Sequence, residues 1–393
     1  MDYKFDLPTK IVVGEGCSKQ LGANISASGV KKVMCVFDKG IESAGIADTL
    51  ITNIEAAGIE VIRYNGVLPD PPVETIEDCT TLAAKTKPEA FVAIGGGSSI
   101  DAAKAVNANW ANPGKLKDHS INVNGMKILP FENPLKPLYA VPTTAGTGSE
   151  VSSSAIVTDK ILKLKLSVMS PSLAPTMSFI DPSLMVTLPP AITASTGLDA
   201  FAHAMEGLMG GLTRFCPSSM RDSFALTAIE LIVKSLLPAI REGNDIKARS
   251  DMAYAAFMSI MGASSGLSMG HSVGHAISEV SGVHNHGFLC ASILPNNVEF
   301  MAEFIPDHIK KLAHMFNIDT KGKSTTETGT AVKKAIKIFF KECGLPTLKE
   351  MGVKLADIDE IVKHTTSGTW YNLAPKKPAP EELAGWIREA YED

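Results

Sequence analysis

AFVAIGGGSSIDAAKA (residues 90–105) is the stretch that decides the fold. A β-rich apolar run stops at three glycines, and a helical run of small residues begins near Ser98. Glycine opens backbone conformations closed to other residues and lets a ligand approach closely. The start of the following helix offers unpaired N–H groups and a positive dipole end. Strand, glycine turn and helix in this order suit a pyrophosphate; the plain alternative is a strand-to-helix turn. The run is not the GxGxxG fingerprint, so that motif is not claimed.

The same grammar extends outward from this stretch. KIVVG (10–14), KKVMCVFDKG (31–40), IEVIRYNG (59–66) and LYAVPTT (138–144) are β-rich runs ending in turn residues, and MSFIDP (177–182) closes the series. Helical patterns occupy 43–57, 74–86 and 98–109. Strands alternating with helices predict parallel, right-handed βαβ units, a Rossmann-like α/β domain over residues 1–190. From TLPPAITASTG (187–197) onward the alternation ends. Long helical stretches at 219–243 and 250–279 predict an all-α domain over residues 191–393.

Bulk properties narrow the function. The 393 residues carry a net charge of −5, and the pI is near 6.0. There is no basic field to draw nucleic acid or an anionic membrane. The N-terminal MDYKFDLPTKIVVGEG lacks a basic segment followed by an apolar one, and no apolar run reads as a bilayer span. Cys17, Cys35, Cys79, Cys216, Cys290 and Cys343 are scattered without a CxxC pair. Reduced thiols in a cytoplasmic protein are expected.

Two further features bear on a nucleotide. VPTTAGTGSEVS (141–152) offers hydroxyls and glycines to phosphate, ribose or a nicotinamide amide, or else is a flexible surface loop. Asp38 ends KKVMCVFD. An acid there bonds a ribose 2′-hydroxyl and repels a 2′-phosphate, favouring NAD over NADP. It also reads as a helix cap.

GLDAFAHAMEGL (197–208) places Asp199 and His203 four residues apart on an apolar helix. Such residues share one helix face. A buried carboxylate needs a partner, either the imidazole alone or a cation. MGHSVGHAISEVSGVHNHGFL (269–289) then holds four of the nine histidines: His271, His275, His284 and His286. From two i,i+4 pairs and a turn histidine, one oxygen and three nitrogens can be drawn for one metal. Four protein ligands close a structural zinc site, whereas an ion open to a substrate oxygen suits Fe(II) or five-coordinate Zn(II).

These motifs, taken with FDLPTKIVVGEG, VFDKG, NGVLPDPPVE and FIDPSLMVTLPP, resemble the iron-containing, metal-dependent (group III) alcohol dehydrogenases over nearly the whole chain. The resemblance implies a dehydroquinate synthase-like two-domain architecture with the active site in the cleft between domains. It implies metal ligation by Asp199, His203, His271 and His286, with His275 near the substrate as a catalytic proton relay. The implied cofactor contacts are Asp38, Asp70, Gly95, Gly96, Gly97, Ser98, Ser99, Asp101, Thr143, Thr144, Thr147 and Lys165. The implied activity is an NAD(H)-linked alcohol dehydrogenase or aldehyde reductase using Fe²⁺, with Zn²⁺ as the alternative ion. A small alcohol or aldehyde is the implied partner, in a homo-oligomer of dimer size or larger.

Two departures stand out. GVHNHG replaces the family's proline before HG, so His284 competes with His286 as the last ligand; His286 is the preferred reading. SGTWYNLAPKKPAP replaces an asparagine–proline–arginine turn. The alternative functions are a zinc-dependent glycerol-type dehydrogenase and a dehydroquinate-synthase-like lyase. A lyase acting on a phosphorylated substrate needs several basic side chains, and residues 190–290 hold few, Arg214 and Arg221 among them. A metallohydrolase would not need the GGGSSID turn. A binding protein without catalysis is the remaining alternative.

Overall fold

The glycine turn ends the fourth strand of a parallel sheet. The computed structural model describes residues 7–392 except 115, 125, 126, 128, 163, 211–218, 264 and 265. The chain divides into two compact units between Thr187 and Leu188.

The first unit carries β1 (Lys10–Val13), β2 (Lys32–Asp38), β3 (Glu60–Val67), β4 (Ala90–Gly95), β5 (Leu138–Pro142), β6 (Ser154–Asp159), β7 (Leu164–Met169) and β8 (Met177–Ile180). Six of them form one sheet in the order β1-β8-β5-β4-β2-β3. Every neighbouring pair in it is parallel. These six are the β-rich runs of the sequence, so the parallel α/β reading holds. The sheet is buried on both faces, as parallel sheets are. Met34, Val36, Phe91 and Ala93 pack on one side with α4 (Val73–Thr86) and α5 (Gly97–Ala111). Val33, Cys35, Val92 and Ile94 pack on the other with α1 (Leu21–Ala27) and α3 (Ile46–Ala56). The short α2 (Lys39–Ser43) follows β2 directly.

Strand order reverses between β2 and β4. The chain moves outward from β2 to β3, then crosses back to β4 and continues to β5. Ligands of open α/β sheets bind outside the carboxyl ends of strands at such a switch point. The sequence reading omits β6 and β7, an antiparallel hairpin. In β6, Ala155 and Val157 are buried and alternate with half-buried neighbours.

Among its described residues after the boundary, the second unit has helices joined by turns and no strand, as expected. Helices Pro190–Met209, Ser219–Arg241, Ile246–Gly262, Met269–Ser281 and His286–Ser292 carry or support the site. The last two pack in one apolar core with Leu348 of a turn and with Ile361, Leu383, Trp386 and Ile387 of the C-terminal helices. TWYNL forms the short helix Thr369–Leu373, which packs on helix Met269–Ser281.

One expectation needs correction. Helix Met220–Arg241 does have the length and apolar content of a membrane span. It nevertheless reads as a core helix. Ala225, Ala228, Ile229, Ile232, Leu236 and Ala239 are all fully buried at helical spacing, while Glu230 and Lys234 occupy the other face. Cys17, Cys35, Cys79, Cys290 and Cys343 are free thiols. Cys216 and Arg214 lie outside the described residues.

Candidate active site

The α/β unit builds a polar patch where β2 and β4 end. Asp38 Oδ1 accepts from the N–H groups of Gly40 and Ile41 at 2.7 and 3.0 Å, capping α2. Its Oδ2 accepts from Ser99 Oγ at 3.4 Å. One oxygen is therefore the cap, and the other lies beside the glycine turn. Gly95 has φ +142°, and a Cβ there would come within 2.5 Å of Ser99 Oγ. A Cβ on Gly97 would meet Thr147 Cγ2 at 2.6 Å, and one on Gly96 would meet Thr144 Oγ1 at 3.2 Å. The threonine loop is thus packed directly on the turn. Thr143 N–H donates to the Gly95 carbonyl at 3.0 Å, and Thr143 Oγ1 is buried without a hydrogen-bond partner. Asp70 N–H donates to Ser98 Oγ at 3.3 Å, and Asp70 Oδ1 accepts from Lys165 Nζ at 3.0 Å.

The expected cofactor residues therefore form one connected patch, with a single exception. Asp101 points to the hairpin, where its Oδ2 accepts from Ile156 N–H at 3.0 Å. It shares a buried polar cluster with Lys104, whose ammonium donates to Ser152 and Ser154. Burial pushes the Asp101 carboxyl up and pushes Glu150 up to about 7, while it lowers Lys104 to about 8. Through Oδ2, Asp101 ties α5 to β6. The remaining patch fits a pyrophosphate: a helix N-terminus, a turn with no room for side chains, and an orphaned hydroxyl.

In the helical unit, helix Pro190–Met209 sets Asp199, His203 and Glu206 on one buried face, 2%, 5% and 0% exposed. Helix Met269–Ser281 supplies His271 and His275 and ends at Gly282 in a left-handed cap, φ 70°. Helix His286–Ser292 then starts at His286 and carries Cys290 one turn later. The three helices approach closely because glycines face backbone. A Cβ on Gly287 would lie 2.0 Å from the Ser195 carbonyl, and one on Gly270 would lie 2.7 Å from the Cys290 carbonyl.

Asp199 Oδ1 lies 3.6 Å from His271 Nε2 and 3.5 Å from His286 Nε2. Donor atoms of Asp199, His271, His286 and Cys290 all lie within 4.8 Å of one another. His203 stands beside this group, its Nδ1 3.9 Å from Asp199 Oδ2 and its ring stacked on His271 at 4.5 Å. The half-buried His275 ring lies 5.3 Å from that of His286. His284 is exposed and is not one of the four, so the structure brings His286 to Asp199.

Asp199 Oδ1 and His271 Nε2 are buried and lack a hydrogen-bond partner. Glu206 takes the other face of His271: its carboxylate contacts Nδ1 and accepts from the His271 backbone N–H at 3.2 Å. With Nδ1–H donating to Glu206, the Nε2 lone pair of a neutral ring faces a carboxylate oxygen. Two acceptors so placed are reconciled by a proton or by a metal cation. Burial pushes the Asp199 carboxyl up, but His203, His286 and His271 outweigh it and hold the group well below the usual carboxylate range. Burial likewise opposes a charge on His271; Cys290, Glu206 and Asp199 outweigh it and raise its pKa well above the ordinary value. The donor set, one carboxylate oxygen and imidazole nitrogens, fits a divalent ion.

Residues 8–182 match the family described as iron-containing alcohol dehydrogenase, and residues 193–391 match the C-terminal region of the Fe-containing alcohol dehydrogenase family. The chain belongs to the iron-containing alcohol dehydrogenase family. This iron-type dehydrogenase is 36% identical to choline dehydrogenase of Bacillus subtilis (strain 168), over 92% of this chain and 88% of that protein. It is 33% identical to NAD-dependent methanol dehydrogenase of Bacillus methanolicus, over 98% of this chain and 99% of that protein. Alcohol dehydrogenase from Oenococcus oeni superposes with a TM-score of 0.91 at 30% identity, covering 99% of this chain and 100% of that one.

The iron-type dehydrogenase is accordingly a metal-dependent, NAD-linked alcohol dehydrogenase, a reading supported over the glycerol-type and lyase alternatives. Arg221, weighed against a lyase, is buried, 4% exposed. Sequence reasoning missed two residues of the dehydrogenase's metal-side cluster. Glu206 sits three residues after His203 and Cys290 four after His286, so helical spacing alone would have placed both on the ligand faces.

Proposed function

We propose that the enzyme interconverts a small alcohol and its aldehyde with NAD(H), the α/β unit binding the nucleotide and the helical unit the metal and substrate. The names of the relatives, a choline and a methanol dehydrogenase, support a small alcohol. The carrying observation is the pair of buried, unpartnered donor atoms, Asp199 Oδ1 and His271 Nε2. Asp199, His203, His271 and His286 would hold a divalent ion, which when bound would supply Lewis acidity for a hydride exchange with NAD(H). Iron is the proposed ion and zinc the second choice.

The chain's own residues do the rest. Asp199 contributes a negative charge that offsets part of the cation's. Glu206 fixes the tautomer and orientation of His271, so that Nε2 is the free donor. His275, half-buried with its ring 5.3 Å from that of His286, holds and passes the substrate proton as a positioned imidazole. The turn Gly95–Gly97 and the start of α5 bind pyrophosphate. Asp38 Oδ2 accepts a ribose hydroxyl and selects NAD over NADP. Lys165, buried against Asp70, adds positive charge to the same patch. A cytoplasmic setting accords with the free thiols, and a homo-oligomer of dimer size or larger with the family resemblance.

Purified enzyme assayed against short aldehydes should oxidise NADH in preference to NADPH. Chelation should abolish turnover, and Fe²⁺ added back should restore it. Full turnover after verified metal removal would refute the assignment. His275→Ala should lower kcat with metal content unchanged; loss of metal would make it a ligand instead.

A further inference from the structure

We propose that Lys104 is a positioning residue for the nucleotide: its buried ammonium fastens the end of the threonine loop to α5, so that Thr144 and Thr147 are already set against the glycine turn when the cofactor binds. The inference rests on the reading of that turn as the nucleotide site. It starts from one face of α5. Gly97, Asp101 and Lys104 are spaced i, i+4 and i+7, which places them on one side of the helix. The loop and the hairpin both lie on that side. A Cβ on Gly97 would meet Thr147 Cγ2 at 2.6 Å. Asp101 Oδ2 accepts from Ile156 N–H at 3.0 Å. Lys104 Nζ donates to the Ser152 carbonyl at 2.9 Å, to Ser152 Oγ at 3.0 Å and to the Ser154 carbonyl at 2.8 Å.

An ammonium has three N–H donors, and these bonds use them all. Two of the acceptors are backbone carbonyls, one at the end of the loop and one at the first residue of β6. The bonds therefore fix main chain where the loop runs into the hairpin. The start of the loop is held separately, by Thr143 N–H on the Gly95 carbonyl. Its middle is held by Ser178 Oγ, which donates to the Glu150 carbonyl. Lys104 is only 1% exposed. Asp101 Oδ1, 3.9 Å away, and the buried Glu150 balance its charge. Burying such a cluster is costly, and an apolar side chain of similar length would avoid the cost. What the ammonium adds is one fixed main-chain geometry. Without it, three acceptors lose their donor and the end of the loop is released. Bound nucleotide must then order the loop itself, at the expense of affinity.

The test is calorimetric titration of the metal-loaded enzyme with NADH, wild type beside Lys104→Met, together with steady-state kinetics. Methionine keeps the length and removes the donors. The expected result is a Kd and a KM for NADH raised about tenfold, with kcat at saturating NADH within about twofold of wild type. Amide exchange should quicken over residues 143–153 and stay unchanged in β4. A wild-type Kd in the folded variant, even with a lower Tm, would overturn the proposal and make Lys104 a residue of stability alone. A fall in kcat at unchanged Kd would overturn it too. Failure of the wild type to bind NADH would overturn the nucleotide reading itself. If Lys104→Met does not fold, the variant combining it with Asp101→Asn and Glu150→Gln removes all three buried charges, so that no acid is left unpaired. Weakened NADH binding there supports the proposal, and wild-type affinity overturns it.

Discussion

Glu206 and Asp38 are each a carboxylate whose value lies in what it orients. Glu206, fully buried, holds His271 from behind. Glu206→Gln keeps the shape but removes the charge that strengthens the His271 donor. It should weaken metal binding about 10–100-fold, as outer-shell changes do, measured by competition with a chromophoric chelator. Unchanged metal affinity would make Glu206 a packing residue. Asp38 divides its two oxygens between the α2 cap and the glycine turn. Asparagine is an equally good cap, so Asp38→Asn should leave stability unchanged while raising the NADPH to NADH ratio of kcat/KM. If that ratio stays fixed, the carboxylate does not select the cofactor.

At the scale of elements, close approach and capping govern the site. Gly287 lets helix His286–Ser292 lie against Ser195 of helix Pro190–Met209, where a Cβ would sit 2.0 Å from the carbonyl. Gly287→Ala should cost about 1–3 kcal/mol in denaturant unfolding and lower metal occupancy, because it pushes His286 off Asp199. In the other unit, Asp181 fastens the end of β8 to the turn after β1. It accepts from Gly16 N–H, Ser18 N–H and Oγ, and Ser183 N–H and Oγ, at 2.6 to 3.2 Å. Burial pushes this carboxyl up, yet the donors outweigh it and hold its pKa below the ordinary value. A group depressed in the folded state stabilises above its unfolded value, about 3.9, and that stabilisation fades as pH falls through the folded one. Asp181→Asn should cost about 2 kcal/mol at neutral pH, and the gap to wild type should narrow below about pH 4 in acid-unfolding curves. A gap constant with pH would show that its charge is unimportant.

Across the whole molecule, the proposed metal donors come from helices far apart in sequence but within one unit. An ion joining them binds the folded state alone. At one hundred times its Kd it should add about 2.7 kcal/mol, seen as a lower Tm after chelation and recovery on adding back the ion. A Tm indifferent to chelation would argue against an ion bridging these helices. The sequence was most legible where pattern is local: each of the six sheet strands is an apolar run ending in turn residues. The hairpin of β6 and β7 escaped because a short antiparallel pair interrupts an otherwise parallel series.

Local periodicity therefore determined the α/β and helical halves, the glycine turn, and the i,i+4 pairing of Asp199 with His203. Each follows from residues within a few turns of one another. Tertiary structure alone decided that His286, not His284, reaches Asp199, and that Asp101 turns to the hairpin. It also brought Glu206 and Cys290 to the histidines. Sequence spacing fixes which face a side chain occupies. Only the packing of separate helices, set by glycines such as Gly270 and Gly287, fixes what that face meets.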